Sequence, residues 1–509
     1  MAHRYVDLGE NGEKVYLYDQ DQEKVRQVLW GDWLRIDDDP AHNQLGAGWL
    51  PVIWAPNSPN PRTLYIKEEH TTEQRPLEII FVDVGQGDGA VLISPESGEN
   101  ERIMVIDAGE RWNMRNFLNG RFKAYRGFDF DSAVITHPDR DHYLGFEAIF
   151  ADHDIGFGTI YHSGLVERPV SGTFAKLGNL TEDPATGVKY FEDLAVDTGE
   201  IENIFGAPVD IGDYLFPGVM RTALENPKIN EFRMLSTFHS TAEAGRTYMP
   251  GFAPSDGKSY TIEVLGPVVE MSPNNQPSLR RISSNYGKTK NGHSVILRLH
   301  YGNIKVLFGG DLNIPAEKYL LTHYTGLDRF PSKSSTTYAN MITEANDWFG
   351  ADVMKVCHHG SEKVTDAFMA AVNPAAFVIS SGDQEGHVHP RPDLLGRLGR
   401  FGRGESPVLL STELQRSTRE REDRVLVTRL MREIDDLASD PTDELKDAIR
   451  KKIRVLAKRN VDVYGAIYLK TDGERLITAF KIESESDTKK WFYFEYFLDS
   501  NGVLTLSRS

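Results

Sequence analysis

At 509 residues, 40% apolar and 26% charged, the chain is long enough for about three domains and has the composition of a soluble globular protein, which excludes a disordered, collagen-like or channel-forming one. Lys and Arg number 57 against 75 Asp and Glu; the net charge of −18 argues against general affinity for nucleic-acid backbone, so any such contact needs a local patch or a metal. No apolar run reaches the ~20 residues of a membrane span, no signal-peptide stretch opens the chain and Cys357 stands alone, so a cytoplasmic protein without membrane contact is expected.

Residues 1–75 read as a small β-rich module. The stretches 15–18 and 30–36 alternate apolar and polar residues, the period of half-buried strands, and the Pro- and Asn-rich run 56–61 marks turns. Its tryptophans fit core packing better than a binding surface, because aromatic side chains dominate small cores. From residue 76 the texture changes. Apolar runs at 79–82, 103–106, 132–136, 294–299, 305–308, 353–356 and 376–379 predict buried strands, several with Gly, Asp or His at their ends. Helical patterns such as 365–372 fall between them, so residues 76–406 are expected to form an α/β core.

Within that core the stretch at about 166–259 carries many Gly, Pro and Thr, and is expected to be an insertion, either a substrate-facing lid or an irregular surface excursion. Residues 407–509 are expected to form a C-terminal α+β module. Asp440-Pro441-Thr442-Asp443-Glu444 starts a helix, with Asp440 as cap, Pro441 at its first position and acids in its first turn. Leu445, Ile449, Ile453 and Leu456 line one face, and Arg450, Lys451, Lys452, Arg454, Lys458 and Arg459 crowd the far half, the charge order a helix dipole favours. Runs at 466–469, 476–482 and 491–498, with turns at Asp472-Gly473 and Asn501-Gly502, predict a closing antiparallel meander.

The densest chemical signal is Thr136-His137-Pro138-Asp139-Arg140-Asp141-His142, with four potential metal ligands directly after a buried strand. A loop at a strand tip can turn all four toward one point, whereas a continuing strand would alternate them between faces. Imidazole nitrogen with carboxylate oxygen suits divalent zinc, iron or manganese. Phe308-Gly309-Gly310-Asp311 and Lys355-Val356-Cys357-His358-His359-Gly360-Ser361 end two further strands with ligand residues, and three such tips in one chain point to a dinuclear site.

The order Asp107, His137-x-Asp139-x-Asp141-His142, Asp311, His359 resembles the metallo-β-lactamase fold superfamily. More narrowly, the chain is similar to the soluble hydrolase domain of the competence DNA-uptake (ComEC-type) family. The narrower likeness rests on Phe81-Val82-Asp83-Val84-Gly85-Gln86-Gly87-Asp88, Asn291-x-x-Ser294-Val295-Ile296-Leu297 and His358-His359-Gly360-Ser361. Ile379-Ser380-Ser381-Gly382 and His389-Pro390-x-Pro392-Asp393-Leu394-Leu395 complete it, over about residues 77–401. The membrane channel of the uptake proteins has no counterpart, so DNA transport is not implied.

The resemblance implies an αββα sandwich with two divalent metal ions at one edge. His137 and Asp139 would bind the first, Asp141 and His142 the second; Asp311 would bridge them and His359 would complete the second site, with His358 as its rival. Asp107 would support the ligand loop, and Asp83 and Asp88 would shape the floor. Asp139 stands where the superfamily has histidine, a harder ligand that tilts the preference toward manganese or magnesium without excluding zinc. The third-motif histidine is expected to be His293, ahead of His162 and His239. Asp141 and His389 are the candidate catalytic groups, His389 as the acid that protonates the leaving group or, in the plainer reading, a turn residue before Pro390. Lys355 and Cys357 are expected to be packing residues.

The implied activity is a phosphodiesterase or nuclease acting on nucleic acid or a nucleotide, because paired cations generate hydroxide near neutral pH and clamp the attacking and departing oxygens. The alternatives are a small-molecule hydrolase for a lactone, thioester or phosphoester on the same fold, and an adaptor with a secondary metal site. The terminal modules suggest a regulatory protein partner, as for a toxic nuclease held in check such as a bacterial defence effector.

Overall fold

The computed structural model describes residues 2–9, 12–56, 60–123, 127–382, 389–412, 424–439, 441–457, 465–482 and 486–507. The protein is a mixed α/β molecule built on several sheets. Among the described residues no helix is long and apolar enough to cross a membrane.

Residues 3–72 form a seven-stranded antiparallel sheet around Val6, Val15, Leu17, Val28, Leu34, Val52, Leu64 and Ile66. The alternating stretches supply its strands Tyr16–Tyr18 and Trp33–Ile36, while residues 57–59 of the Pro- and Asn-rich run lie outside the described residues. Trp30 is buried against Ile477, Ala479 and Trp491. The Gln27 side-chain amide closes the seam by pairing with the Trp491 backbone at 3.0 and 3.2 Å.

Two large sheets make up the rest. The ten-stranded sheet centres on Leu77–Phe81, Gly89–Ile93, Ile103–Ala108, Asp129–Ile135, Gly156–His162 and Ile229–Met234, the last four parallel to one another. The eight-stranded sheet contains Tyr260–Gly266, Ile296–Tyr301, Ile304–Phe308, Val353–Lys355, Ala376–Ile379 and Val408–Ser411, again with the last four parallel. One apolar cluster, including Ile79, Leu92, Ile106, Val264, Leu299, Val306 and Val378, joins residues of both sheets. A second sets the ten-stranded sheet against helices Asn113–Phe122, Phe146–Phe150, Thr198–Phe205 and Leu215–Glu225. A third sets the eight-stranded sheet against Ile314–Tyr324, Thr336–Phe349, Asp366–Val372 and Pro392–Phe401.

Two segments join this architecture differently from the expected partition. In the stretch 166–259, strand Ile229–Met234 extends the ten-stranded sheet, and Phe216, Val219, Met220 and Ala223 are buried in its outer cluster. Those four residues fall three and one apart on a helix, so no continuous apolar run marks them as core. Past residue 407, Val408–Ser411 pairs with Ala376–Ile379, and Ile467–Thr471 pairs antiparallel with Leu77–Phe81 and carries the meander into the first large sheet. The segments before and after 407 therefore share both sheets. The basic helix is Asp443–Ala457, and Thr442 Oγ1 accepts from Leu445 N at 3.3 Å at its start. The expected cap Asp440, together with Lys458 and Arg459, lies outside the described residues.

Parallel strands carry all their C-terminal ends to one edge of a sheet. The loops after Phe81, Ala108, Ile135, Phe308, Lys355 and Ile379 consequently gather at one pole, where Val295 N donates to Thr136 O at 2.9 Å and ties the two sheets together.

Candidate metal centre

The first wall of the centre is the loop 136–142. Asp107 is fully buried in a left-handed conformation (φ 54°) and holds this loop by three contacts. Its Oδ1 accepts from Thr136 N at 2.8 Å; its Oδ2 takes Thr136 Oγ1 at 2.6 Å and His142 Nδ1 at 2.7 Å. A non-glycine residue held at positive φ marks a place where the surroundings impose the backbone. The floor is the 83–88 turn, where Asp83 Oδ1 accepts from Gly85 N at 3.1 Å. Gly87 has φ 112°, and a Cβ there would stand 1.8 Å from Asp141 O, so only glycine lets this turn reach the ligand loop.

The second wall comes from the other large sheet. Asp311 N donates to Ser294 Oγ at 3.1 Å, an approach a Cβ on Gly310 would block at 2.5 Å from Ser294 Cβ. His358 and His359 are both left-handed (φ 51° and 54°), a turn that separates the doublet. His359 goes into the buried centre. His358 stays at its margin, with Nε2 3.8 Å from Asp311 Oδ2 and its ring centroid 6.2 Å from that of His389.

The three inner histidines share one arrangement. His142 Nδ1 is fixed on Asp107, His359 Nδ1 lies 3.1 Å from Asp88 Oδ1 and 3.2 Å from Ser380 O, and His137 Nδ1 lies 3.2 Å from Ser294 Oγ. Each ring thus turns Nε2 to the centre, which is how a carboxylate or hydroxyl behind an imidazole orients it toward a metal. His142 Nε2 and His359 Nε2 are 3.3 Å apart, 3.4 and 3.3 Å from Asp311 oxygens, and Asp141 Oδ2 is 3.2 Å from His359 Nε2. His137 Nε2 and Asp311 Oδ1 are buried without a hydrogen-bond partner. Ligand atoms of Asp88, His142, Asp311 and His359 all lie within 4.8 Å of one another, and among the described residues this is the one such group of His, Cys, Asp or Glu. Such a donor set fits a divalent cation.

The electrostatics point the same way. Burial works against every charge here, yet His359 and His142 hold the Asp311 carboxyl well below its ordinary range. In return Asp311 and Asp107 raise His142, and Asp311 and Asp88 raise His359. The carboxylates therefore demand positive charge at this point, which protons or a metal ion can supply. Asp88 also receives an ion pair from buried Lys355, whose Nζ donates to Gly310 O at 3.1 Å as well. That makes Asp88 the carboxylate behind His359, as Asp107 is behind His142, and it makes Lys355 an ionic member of the floor where packing alone was expected.

Other expected residues fall elsewhere. His293 caps a helix, and its Nε2 meets Arg280 O at 2.6 Å; burial pushes its pKa down to about 4. Its ring is thus engaged by the backbone and does not take the third-motif place. His162 ends the strand beside Ile135, with Nδ1 accepting from Gly164 N at 3.2 Å and Nε2 buried without a partner. His239 packs on Phe238 and Ser236. Asp139 stands 3.6 Å from His137 Nε2 and is held by Lys290 Nζ at 2.5 Å; Asn291, in the amide orientation that satisfies both its ends, donates to it at 2.7 Å. Lys290 also meets Glu167 at 2.6 Å, and Tyr286 OH donates to Glu167 at 2.6 Å. No motif in the sequence marks this network, since Lys290 and Glu167 lie 123 positions apart.

No family model and no curated protein matches this chain in comparisons with known proteins.

Proposed function

We propose that the chain is a metal-dependent hydrolase of the metallo-β-lactamase kind, an αββα sandwich that cleaves phosphodiesters at the pole where the two large sheets meet. The observation that carries this reading is the meeting of His142 Nε2 and His359 Nε2, 3.3 Å apart beside Asp311, from loops of different sheets. His142, His359 and Asp311 would hold the ion, with Asp141 at its edge and His137 and Asp139 next to it. Manganese or zinc suits these donors best, with magnesium also accommodated. When bound, the ion supplies Lewis acidity toward the phosphoryl oxygen and a nucleophilic water at neutral pH.

The chain's own groups do the rest. Burial would raise Asp141, but His359 and His142 bring it below the usual carboxylate range, so it is ionised at neutral pH and able to orient the attacking water. Asp107 and Asp88 keep two imidazoles in the tautomer that presents Nε2. His389, buried beside His358, is assigned the proton delivered to the departing oxygen.

The test is hydrolysis of bis(p-nitrophenyl) phosphate and of labelled single- and double-stranded nucleic acid with manganese, zinc or magnesium. Turnover that needs metal and is lost in His142→Ala supports the reading. Turnover confined to a lactone or thioester would replace it with a small-molecule hydrolase on the same site.

A further inference from the structure

Helices Arg424–Ser439 and Asp443–Ala457 pair side by side as an antiparallel hairpin, and the ion pair from Lys452 to Glu433 fixes their register. Counted from that pair, Ile434 stands level with Lys451, Asp435 with Arg450 and Ile453 with Arg432. The apolar residues follow helical spacing, with Leu430, Ile434 and Leu437 on the first helix and Leu445, Ile449 and Ile453 on the second. Ile449 is buried and the three leucines are half-buried. Met431 remains 58% exposed, Ile453 46% and Ile434 43%, at neighbouring levels of the hairpin.

The sheets do not cover this stripe. Among the described residues neither helix enters their apolar clusters, and the side-chain hydrogen bonds and ion pairs of both helices stay within the hairpin. Two helices of about 30 residues together are below the ~40 at which a chain sustains its own core, so the stripe calls for a partner.

The charges identify that partner. Among the described side chains the turn end carries Asp436, Asp443, Glu444 and Asp447 against one cation, Lys446. The opposite end carries Arg429, Arg432, Lys451 and Lys452 against one acid, Glu433. Asp435 and Arg450 offset each other at the level between. Part of this charge is answered inside the hairpin, where Lys446 meets Asp443 at 2.9 Å and Arg450 meets Asp447 at 3.3 Å. The acidic and basic ends nevertheless remain opposite poles of one rod, and the complement of such a rod is the same rod turned end for end. A two-fold axis at Ile434 makes that match: each acidic end meets a basic one, Ile434 meets its own copy, and Met431 falls beside the partner's Leu437.

We infer that two copies of the chain associate through this hairpin as an antiparallel four-helix bundle about a two-fold axis at Ile434. The apolar stripe supplies the affinity, because single exposed ion pairs contribute little, and the charges set the orientation. The association does not depend on the hydrolase reading.

Sedimentation equilibrium of the full chain through a concentration series, in EDTA so that no metal bridges two copies, tests this. A dimer is expected. Ile434→Asp sets two carboxylates against each other at the axis and should raise the dissociation constant at least about a hundredfold. Thermal unfolding of the chain should hardly change, since this side chain is exposed in the single copy. Two charge variants test the orientation. Arg429→Glu with Arg432→Glu and Lys451→Glu makes both ends acidic, and Asp436→Lys with Asp443→Lys and Glu444→Lys makes both ends basic. Each alone should dissociate where the parent is dimeric, and their equimolar mixture should dimerise. A parent chain that stays monomeric would give the stripe another occupant, its own body or a different protein, and overturn the inference. So would a dimer of unchanged affinity in Ile434→Asp, or charge variants that self-associate as well as the parent.

Discussion

The two halves of the polar centre solve the same electrostatic problem differently. Around Asp311, the buried groups are carboxylates and imidazoles, and the buried ammonium of Lys355 is already paired with Asp88. Around Asp139, an ammonium is built in: Lys290 reaches Asp139 and Glu167 at 2.5 and 2.6 Å. Buried carboxylates need compensating charge, and a chain can either carry it covalently or leave it to an ion. The first half leaves a place that protons or a metal ion could fill; the second is already satisfied by its own ammonium.

The sharpest break of that contrast is Asp311→Asn. It removes the charge that both inner imidazoles face, and metal uptake and phosphodiester turnover should fall by at least about a thousandfold, read by metal analysis and initial rates. Next comes Lys290→Ala, which leaves Asp139 and Glu167 buried without their cation. A loss of about 3–5 kcal/mol in urea unfolding is expected in EDTA, with partial recovery when manganese is added, since a divalent ion can take the vacated place. If manganese restores nothing, the second half is a structural ion pair and not a latent ion site.

A buried acid outside the centre offers a control. Glu317 is fully buried, its Oε2 accepts from Thr365 N, and burial pushes its pKa up to about 7 from 4.5. A raised carboxyl binds its proton more tightly folded than unfolded, so its contribution is present below pH 4.5 and is lost as pH rises through 7. Glu317→Gln should therefore gain about 3 kcal/mol relative to the parent between pH 4 and pH 8, measured by denaturant unfolding at both. The smallest effect is expected of Asp107→Asn, which keeps the shape but weakens the hold on His142 Nδ1. Metal affinity should drop about 10- to 100-fold by competition with a chelator, with turnover at saturating metal much less changed.

Much of the centre was legible in the sequence because its parts are local. An apolar run ending in His137, Asp139, Asp141 and His142, or in Gly309-Gly310-Asp311, states both a strand and what its tip carries. The His358–His359 doublet could not be resolved that way, since two successive left-handed residues decide which ring turns inward. Long-range pairings were equally silent. Lys355 meets Asp88 across 267 positions, and neither residue looks ionic beyond its own neighbours. The same holds for the fold. Leu77–Phe81, Ile103–Ala108 and Asp129–Ile135 of the ten-stranded sheet announce themselves as runs, but nothing in Ile467–Thr471 says that it will pair with Leu77–Phe81 from the other end of the chain. His293 shows the opposite failure: a histidine ahead of the right strand, turned by a helix end toward a backbone carbonyl.

The central claim is that His142, His359 and Asp311 grip an ion. Crystals grown with manganese or zinc, with anomalous data at the metal edge, test it directly. A peak is expected about 2.0–2.3 Å from His142 Nε2, His359 Nε2 and an Asp311 oxygen. Metal-replete crystals with no anomalous peak there, and with the two imidazoles still facing each other across bare hydrogen-bond distance, would contradict it.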